Sequence, residues 1–269
     1  MKFSIKWAAV ALAFCLPLSA QAHRTWLLPS ATVLSGNDPW VTVDAAVSND
    51  LFYFEHFPLQ LRNLQITAPD GKPAQAENQS TGRYRSTFDV HLTQPGTYRI
   101  AVLNDGVFAS WKQDGKTRRM RGTPETLAKE VPADAQDLQI TQMNGRVETF
   151  VTVGKPTDTV LKPVGQGLEL SPVTHPNDLF AEDTGTFRFL LDGQPAANID
   201  VSVVPGGIRY RDQLGEIKTR TDADGKFSVK WPAPGMYWIE AAVRDAKTSV
   251  PQAKERRATY AATVEVLPQ

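Results

Sequence analysis

Between Arg83 and Leu92 the chain alternates with a period of two. Tyr84, Ser86, Phe88, Val90 and Leu92 point one way, and Arg83, Arg85, Thr87, Asp89 and His91 the other. Successive side chains leave a pleated strand on opposite sides, so this pattern predicts a strand with one buried and one wet face. The same period recurs in Val41, Val43, Ala45 and Val47, in Tyr98, Ile100 and Val102, and in Val147, Thr149, Val151 and Val153. Pro69-Asp70-Gly71 and Pro95-Gly96 supply turns between such runs. The 19 prolines and 18 glycines scattered between short alternating segments argue for strands and turns over long helices, and an all-β chain is expected.

The spacing of strands and turns over residues 23–153 predicts an immunoglobulin-like sandwich. Gly154-Lys155-Pro156-Thr157 and Lys162-Pro163-Val164-Gly165-Gln166-Gly167 then interrupt regular structure, placing a connection at 154–167 and a second sandwich at 168–269. In that second part Phe187, Phe189 and Leu191 precede the turn at Asp192-Gly193, and Ile199, Val201 and Val203 follow it. Two stretches depart from strand periodicity. Lys112, Lys116, Arg118, Arg119 and Arg121 read as a solvated basic loop, and Thr123-Pro124-Glu125 as the cap, proline and acidic first turn of a short helix. Asp222, Asp224 and Gly225 open like a calcium loop, but the glutamate at its twelfth position is missing, so a hairpin turn is expected.

The first 22 residues read as an address. Lys2 and Lys6 precede an apolar run from Trp7 to Leu18, and Ala20-Gln21-Ala22 forms a cleavage box. The run is shorter than the ~18 to 20 residues that span a bilayer, so the expectation is an exported, periplasmic protein without membrane insertion after cleavage. The one cysteine, Cys15, lies inside this segment, and the exported chain would therefore carry neither disulfides nor thiolate metal ligands. Cleavage removes two lysines and no acid from a chain of zero net charge, leaving it slightly negative. Nothing in that balance favours nucleic acid as a partner.

Cleavage after Ala22 would place a free α-amino group and an imidazole on the same residue, His23. Those two nitrogens can chelate one ion, and a second histidine opposite them completes a T-shaped three-nitrogen site suited to Cu(II) or Ni(II). A cut after Ala20 would instead leave His23 third from the amine, another chelating arrangement. His56, in the aromatic stretch Leu51 to Pro58, is the expected second ligand, partly desolvated, with Glu55 as its acceptor. His175 follows the connection and is either a turn residue or a third ligand; His91 reads as exposed on its strand. No G-x-S-x-G elbow, H-E-x-x-H, phosphate loop or dinucleotide fingerprint occurs, so no enzyme is expected. Copper-dependent oxidases that begin with histidine on a β-sandwich are a lesser alternative, and a structural or adhesive module binding a protein or glycan is another.

Two resemblances join these readings. The stretch from "dGqPaanidVsv" through "TDADGKFsVkwpaPGmYwieA" resembles the transthyretin-like and carboxypeptidase-regulatory β-sandwich modules, which speaks to fold over residues 168–267. Over its exported length, through "AHrtWLLPS", "SNDLFYFEHFPL", "GtYRIAV" and "GLELSPVTHPNDLF", the chain resembles the bacterial periplasmic domain-of-unknown-function family 4198. Members are often labelled periplasmic components of nickel or cobalt uptake. That resemblance implies capture of a transition metal (Ni2+, Co2+ or Cu2+) and its delivery to an inner-membrane transporter or outer-membrane receptor, with the early histidine falling on His23.

Overall fold

The computed structural model describes residues 23–269, so the expected export segment at 1–22 lies outside the described residues. The first half contributes β1 (Arg24–Pro29), β2 (Val33–Leu34), β3 (Trp40–Ser48), β4 (Phe57–Pro58), β5 (Leu64–Thr67), β6 (Pro73–Ala74), β7 (Glu77–Thr81), β8 (Ser86–His91), β9 (Gly96–Leu103), β10 (Gly106–Gln113) and β11 (Lys116–Gly122). A helix α1 (Pro124–Glu130) and the long β12 (Gln136–Val153) follow. The second half adds β13 (Leu168–Pro172), β14 (Thr184–Leu191), β15 (Gln194–Pro195), β16 (Asp200–Pro205), β17 (Ile217–Arg220), β18 (Lys226–Lys230), β19 (Gly235–Asp245) and β20 (Glu255–Val266). The all-β expectation holds.

Alternation sets which faces are buried. In β8, Ser86, Phe88 and Val90 are buried while Thr87, Asp89 and His91 are half-exposed. One sheet, β1-β3-β8-β7 with β4 beside β3, packs its apolar face on Ile66, Tyr98, Ile100, Val102, Val147, Val151 and Val153 of a second sheet. In the second half a small sheet of β13, β14, β15 and β18 packs Phe187, Phe189, Phe227 and Val229 against Val201, Val203, Ile239, Tyr260 and Val264. Two sandwich cores are thus present, as periodicity required.

The two cores share a sheet. Eleven strands include the path β17-β16-β19-β20-β12-β9-β5-β6, and β12 pairs in parallel with β20 from Thr141↔Glu255 to Thr149↔Thr263. From Val147 to Val153 every residue of β12 is buried, which explains why Val147, Val151 and Val153 are apolar while Glu148 and Thr152 are buried polar residues facing the other way. Glu148 is matched there: Arg146 donates to its Oε1 at 2.8 Å and the Tyr260 hydroxyl to its Oε2 at 2.8 Å.

The connection at 154–167 is pinned. Glu169, 3% exposed, accepts backbone N–H bonds from Val164, Gly165 and Gln166 at 2.9, 2.7 and 3.2 Å. The basic stretch expected as a loop is instead the hairpin β10–β11, with Trp111 opposite Arg118 and Ala109 opposite Met120. Its alternation was masked because only Met120 of β11 faces a core, the third cluster with Val107, Trp111, Leu127 and Ile140. The helix begins as expected, capped by Thr123, whose side chain accepts from the Thr126 N–H. At the second aspartate motif, Asp222 Oδ1 accepts from the N–H groups of Asp224 and Lys226, and Gly225 takes φ +75°, where a Cβ would lie 2.4 Å from the Phe189 carbonyl oxygen. That is a hairpin turn with no free carboxylate cage.

Candidate functional site

Three adjacent strands bring the expected ligands together. β3 runs between β1, with Thr25 opposite Val47 and Arg24 opposite Ser48, and β4, with Phe57 opposite the same Val47. His56 lies one residue before that shared row and His23 two residues before it, on opposite sides of the strand that ends at Ser48. Strands two apart are separated by about 9.6 Å, twice the ~4.8 Å spacing, so side chains at the end of β3 can lean toward each other. They do: the two imidazole centroids lie 4.0 Å apart with ring planes inclined by 31°. Phe57 flanks both, its centroid 5.9 Å from His23 and 4.8 Å from His56.

The scaffold under the pair is tied down on both sides. Trp26 is fully buried and donates its indole N–H to Ser48 Oγ at 2.8 Å, which in turn donates to the Asp50 carbonyl. Phe52 and Phe54 pack on Trp26 with centroids at 5.5 Å each. Glu55 Oε1 accepts from the N–H groups of Asn49 and Asp50, both at 2.8 Å, and Arg24 donates to the Asn49 carbonyl at 2.7 Å. Glu55 therefore closes the 49–55 loop that presents His56, in place of the expected contact to the imidazole. His56 itself is exposed, as is His23, so the expected partial desolvation of His56 is absent. The aromatic stretch packs Phe52 and Phe54 against the core and turns the imidazole and Phe57 outward.

Across the junction, the Trp238 indole N–H donates to the Thr25 carbonyl at 3.0 Å, and Arg24 lies over the Trp238 ring at 5.7 Å. Glu240, on the same strand face, has its carboxyl pushed up by burial, opposed by the Arg257 and Arg24 guanidiniums. The strand that carries His23 is thereby fixed to the second half. Sequence reading named neither Arg24 nor Trp238, and no spacing pattern links residues so far apart.

The other two histidines are committed elsewhere. The His175 Nδ1 accepts the Asn177 N–H at 3.1 Å, which leaves Nε2 to carry the proton and meet Thr97 Oγ1 at 3.0 Å. From there the bonds run Thr97 to Thr152 at 2.9 Å, Thr152 to Asn177 Oδ1 at 2.8 Å, and Asn177 Nδ2 to the Phe150 carbonyl at 2.9 Å. Burial depresses the His175 imidazole below its ordinary value, opposed by its hydrogen bond to Thr157 and by Asp158 and Asp178. This histidine buttons the second half to β9 and β12, and neither ring nitrogen faces the His23–His56 pair. His91 stacks on Trp40 at 4.3 Å and meets Asp38 at 2.6 Å, while Asp89 is held by Thr42 and Asn78. His91 is thus half-buried on an aromatic face where exposure was expected.

Among the described residues no three His, Cys, Asp or Glu side chains converge as metal ligands. Two imidazoles, those of His23 and His56, are what the described geometry brings together. A separate cavity of about 240 Å³ at the junction is lined by Asn144, Arg146, Asp192, Lys247 and Arg256 among others. Its two arginines are spent internally: Arg256 is bidentate to Asp192 at 3.0 and 2.8 Å and also bonds Asp245, and Arg146 is held by Glu148.

No curated protein matches the chain. Among solved structures, the D0-D1 domain of intimin aligns at 12% identity, covering 90% of this chain and 97% of that one, with a TM-score of 0.23. A DUF3823 family protein from Bacteroides uniformis aligns at 13% identity, covering 77% and 88%, with a TM-score of 0.23. Likeness at that level carries no functional argument. The family model described as domain of unknown function DUF4198 matches residues 20–245, which include the His23–His56 pair and every strand but β20, and the chain belongs to that family.

Proposed function

We propose that the exported chain, cut after Ala22, binds one Ni(II), Co(II) or Cu(II) ion through the amine and imidazole of His23 and the imidazole of His56, and passes it to a membrane partner. The observation that carries this reading is the 4.0 Å approach of two solvent-facing imidazoles whose strands lie on opposite sides of β3. Donor nitrogens on one ion at ~2.0 to 2.1 Å lie at most about 4 Å apart; the centroid approach sets the two rings side by side, and side-chain rotation that spreads the rings would turn one nitrogen of each toward a shared ion. Binding is reversible coordination without turnover, and it releases protons because amine and imidazole coordinate only as free bases. The ion is cargo. His175, with both nitrogens engaged, is left out of the ligand set.

Calorimetric titration of the processed protein with nickel, cobalt and copper tests this directly. One ion per chain is expected, with affinity weaker by on the order of 100-fold in His56→Ala and in a variant carrying one extra N-terminal alanine, since even outer-shell changes cost 10- to 100-fold. Equal affinity in all three proteins, or a mature form that starts beyond His23, would overturn the reading.

A further inference from the structure

The hairpin β10–β11 holds charge that the metal reading does not use. Its outer strand β11 pairs only with β10 among the described residues, so one row of its backbone N–H and C=O groups is open. Lys116, Arg118, Arg119 and Arg121 are all exposed on it. Several cations elsewhere on the same sheet are paired: Lys112 meets Asp137 at 2.7 Å, Arg220 meets Asp200 at 2.7 Å, Lys218 meets Glu216 at 3.3 Å, and Arg244 pairs with Glu255. In a chain of zero net charge, four unmatched cations on one seven-residue open edge are a local departure.

We infer that this edge accepts an extended acidic segment of another protein as an added strand. Backbone bonds would supply alignment and cross-strand carboxylates the selectivity. The occupant is not a second copy, because two such edges would set guanidinium against guanidinium. Nor does a flat anionic membrane fit. Register puts Lys116 and Arg118 on the Met120 face, and Arg119 and Arg121 on the opposite one with Phe108 and Ser110. A planar surface reaches one set at a time, whereas a strand added edgewise places carboxylates beside both. Seven residues of strand extend about 24 Å, so a segment of about seven residues suffices.

The test uses the processed protein and a fluorescently labelled nine-residue glutamate/threonine peptide, followed by anisotropy at low ionic strength. Binding is expected to weaken at least tenfold in Arg119→Glu/Arg121→Glu and in Lys116→Glu/Arg118→Glu, with melting curves confirming that both fold. On the unaltered protein, the same peptide methylated at alternate backbone nitrogens should also lose at least tenfold, which mere charge attraction does not require. His23 and His56 substitutions should leave peptide binding unchanged, so this inference stands or falls apart from the metal reading. Undiminished binding of the methylated peptide, no binding of the parent peptide, or preferential binding to vesicles containing about 30% phosphatidylglycerol that is lost in the same variants would each overturn it.

Discussion

The indole of Trp238 donates its N–H to the carbonyl oxygen of Thr25, 213 residues away in sequence, at 3.0 Å. One bond thus joins the strand that carries His23 to the central sheet of the second half. Replacing Trp238 with Phe removes the donor and leaves the half-buried Thr25 carbonyl without its indole partner. A loss of about 1 to 3 kcal/mol in denaturant unfolding is expected, together with a several-fold weaker metal affinity, although no ligand has been touched.

Glu55 provides a second indirect test. Its carboxylate holds the Asn49 and Asp50 N–H groups, so Glu55→Ala should free the loop that presents His56. Stability should fall by about 1.5 to 3 kcal/mol for charged hydrogen bonds lost. Calorimetry should show weaker metal binding with a less favourable entropy, since the loop would then have to be ordered by the ion.

At the shared strand, Glu148 is 3% exposed and held by Arg146 and Tyr260. Burial and the neighbouring carboxylate together drive the Tyr260 phenol well above its ordinary range, so it remains a donor. Glu148→Gln leaves the Arg146 guanidinium only its longer, 3.8 Å approach to Glu169, and a loss of about 3 kcal/mol is expected by urea denaturation. A change below about 1 kcal/mol would show that the network is solvated.

His175 gives the protein a pH response. The free imidazole titrates near 6.5, and burial lowers the folded-state value. Between the two values the unfolded chain binds a proton that the folded chain does not, so stability is full above the ordinary value and declines as pH falls through it toward the folded value. Melting temperature should drop on acidification from pH 7.5 to 5.5, and His175→Gln should flatten that part of the profile while lowering its neutral plateau.

Much of this was legible in the residues. Period two located the strands that line both cores, and Thr123-Pro124 located the helix start, because capping is local chemistry. The His23–His56 pairing was accessible as a hypothesis from residue type alone, but not as geometry, since it depends on β1 and β4 flanking β3. The hairpin at 106–122 escaped because Met120 is the one buried side chain on β11, and a single apolar residue carries no period. His175 was unreadable for a related reason: its partners Thr97 and Thr152 are common residues on distant strands, brought near only by the fold.

The parallel register of β12 with β20 bears on how such a chain can be made. Its final strand lies in the middle of the widest sheet, between two strands synthesised earlier. During synthesis, the leading half would emerge with the flank of Thr141 to Thr149 bare until β20 follows. Sequence-distant closure of this sort is slow, and a chain lacking residues 255–269, which hold β20, should be destroyed by proteases and not persist as a half-molecule.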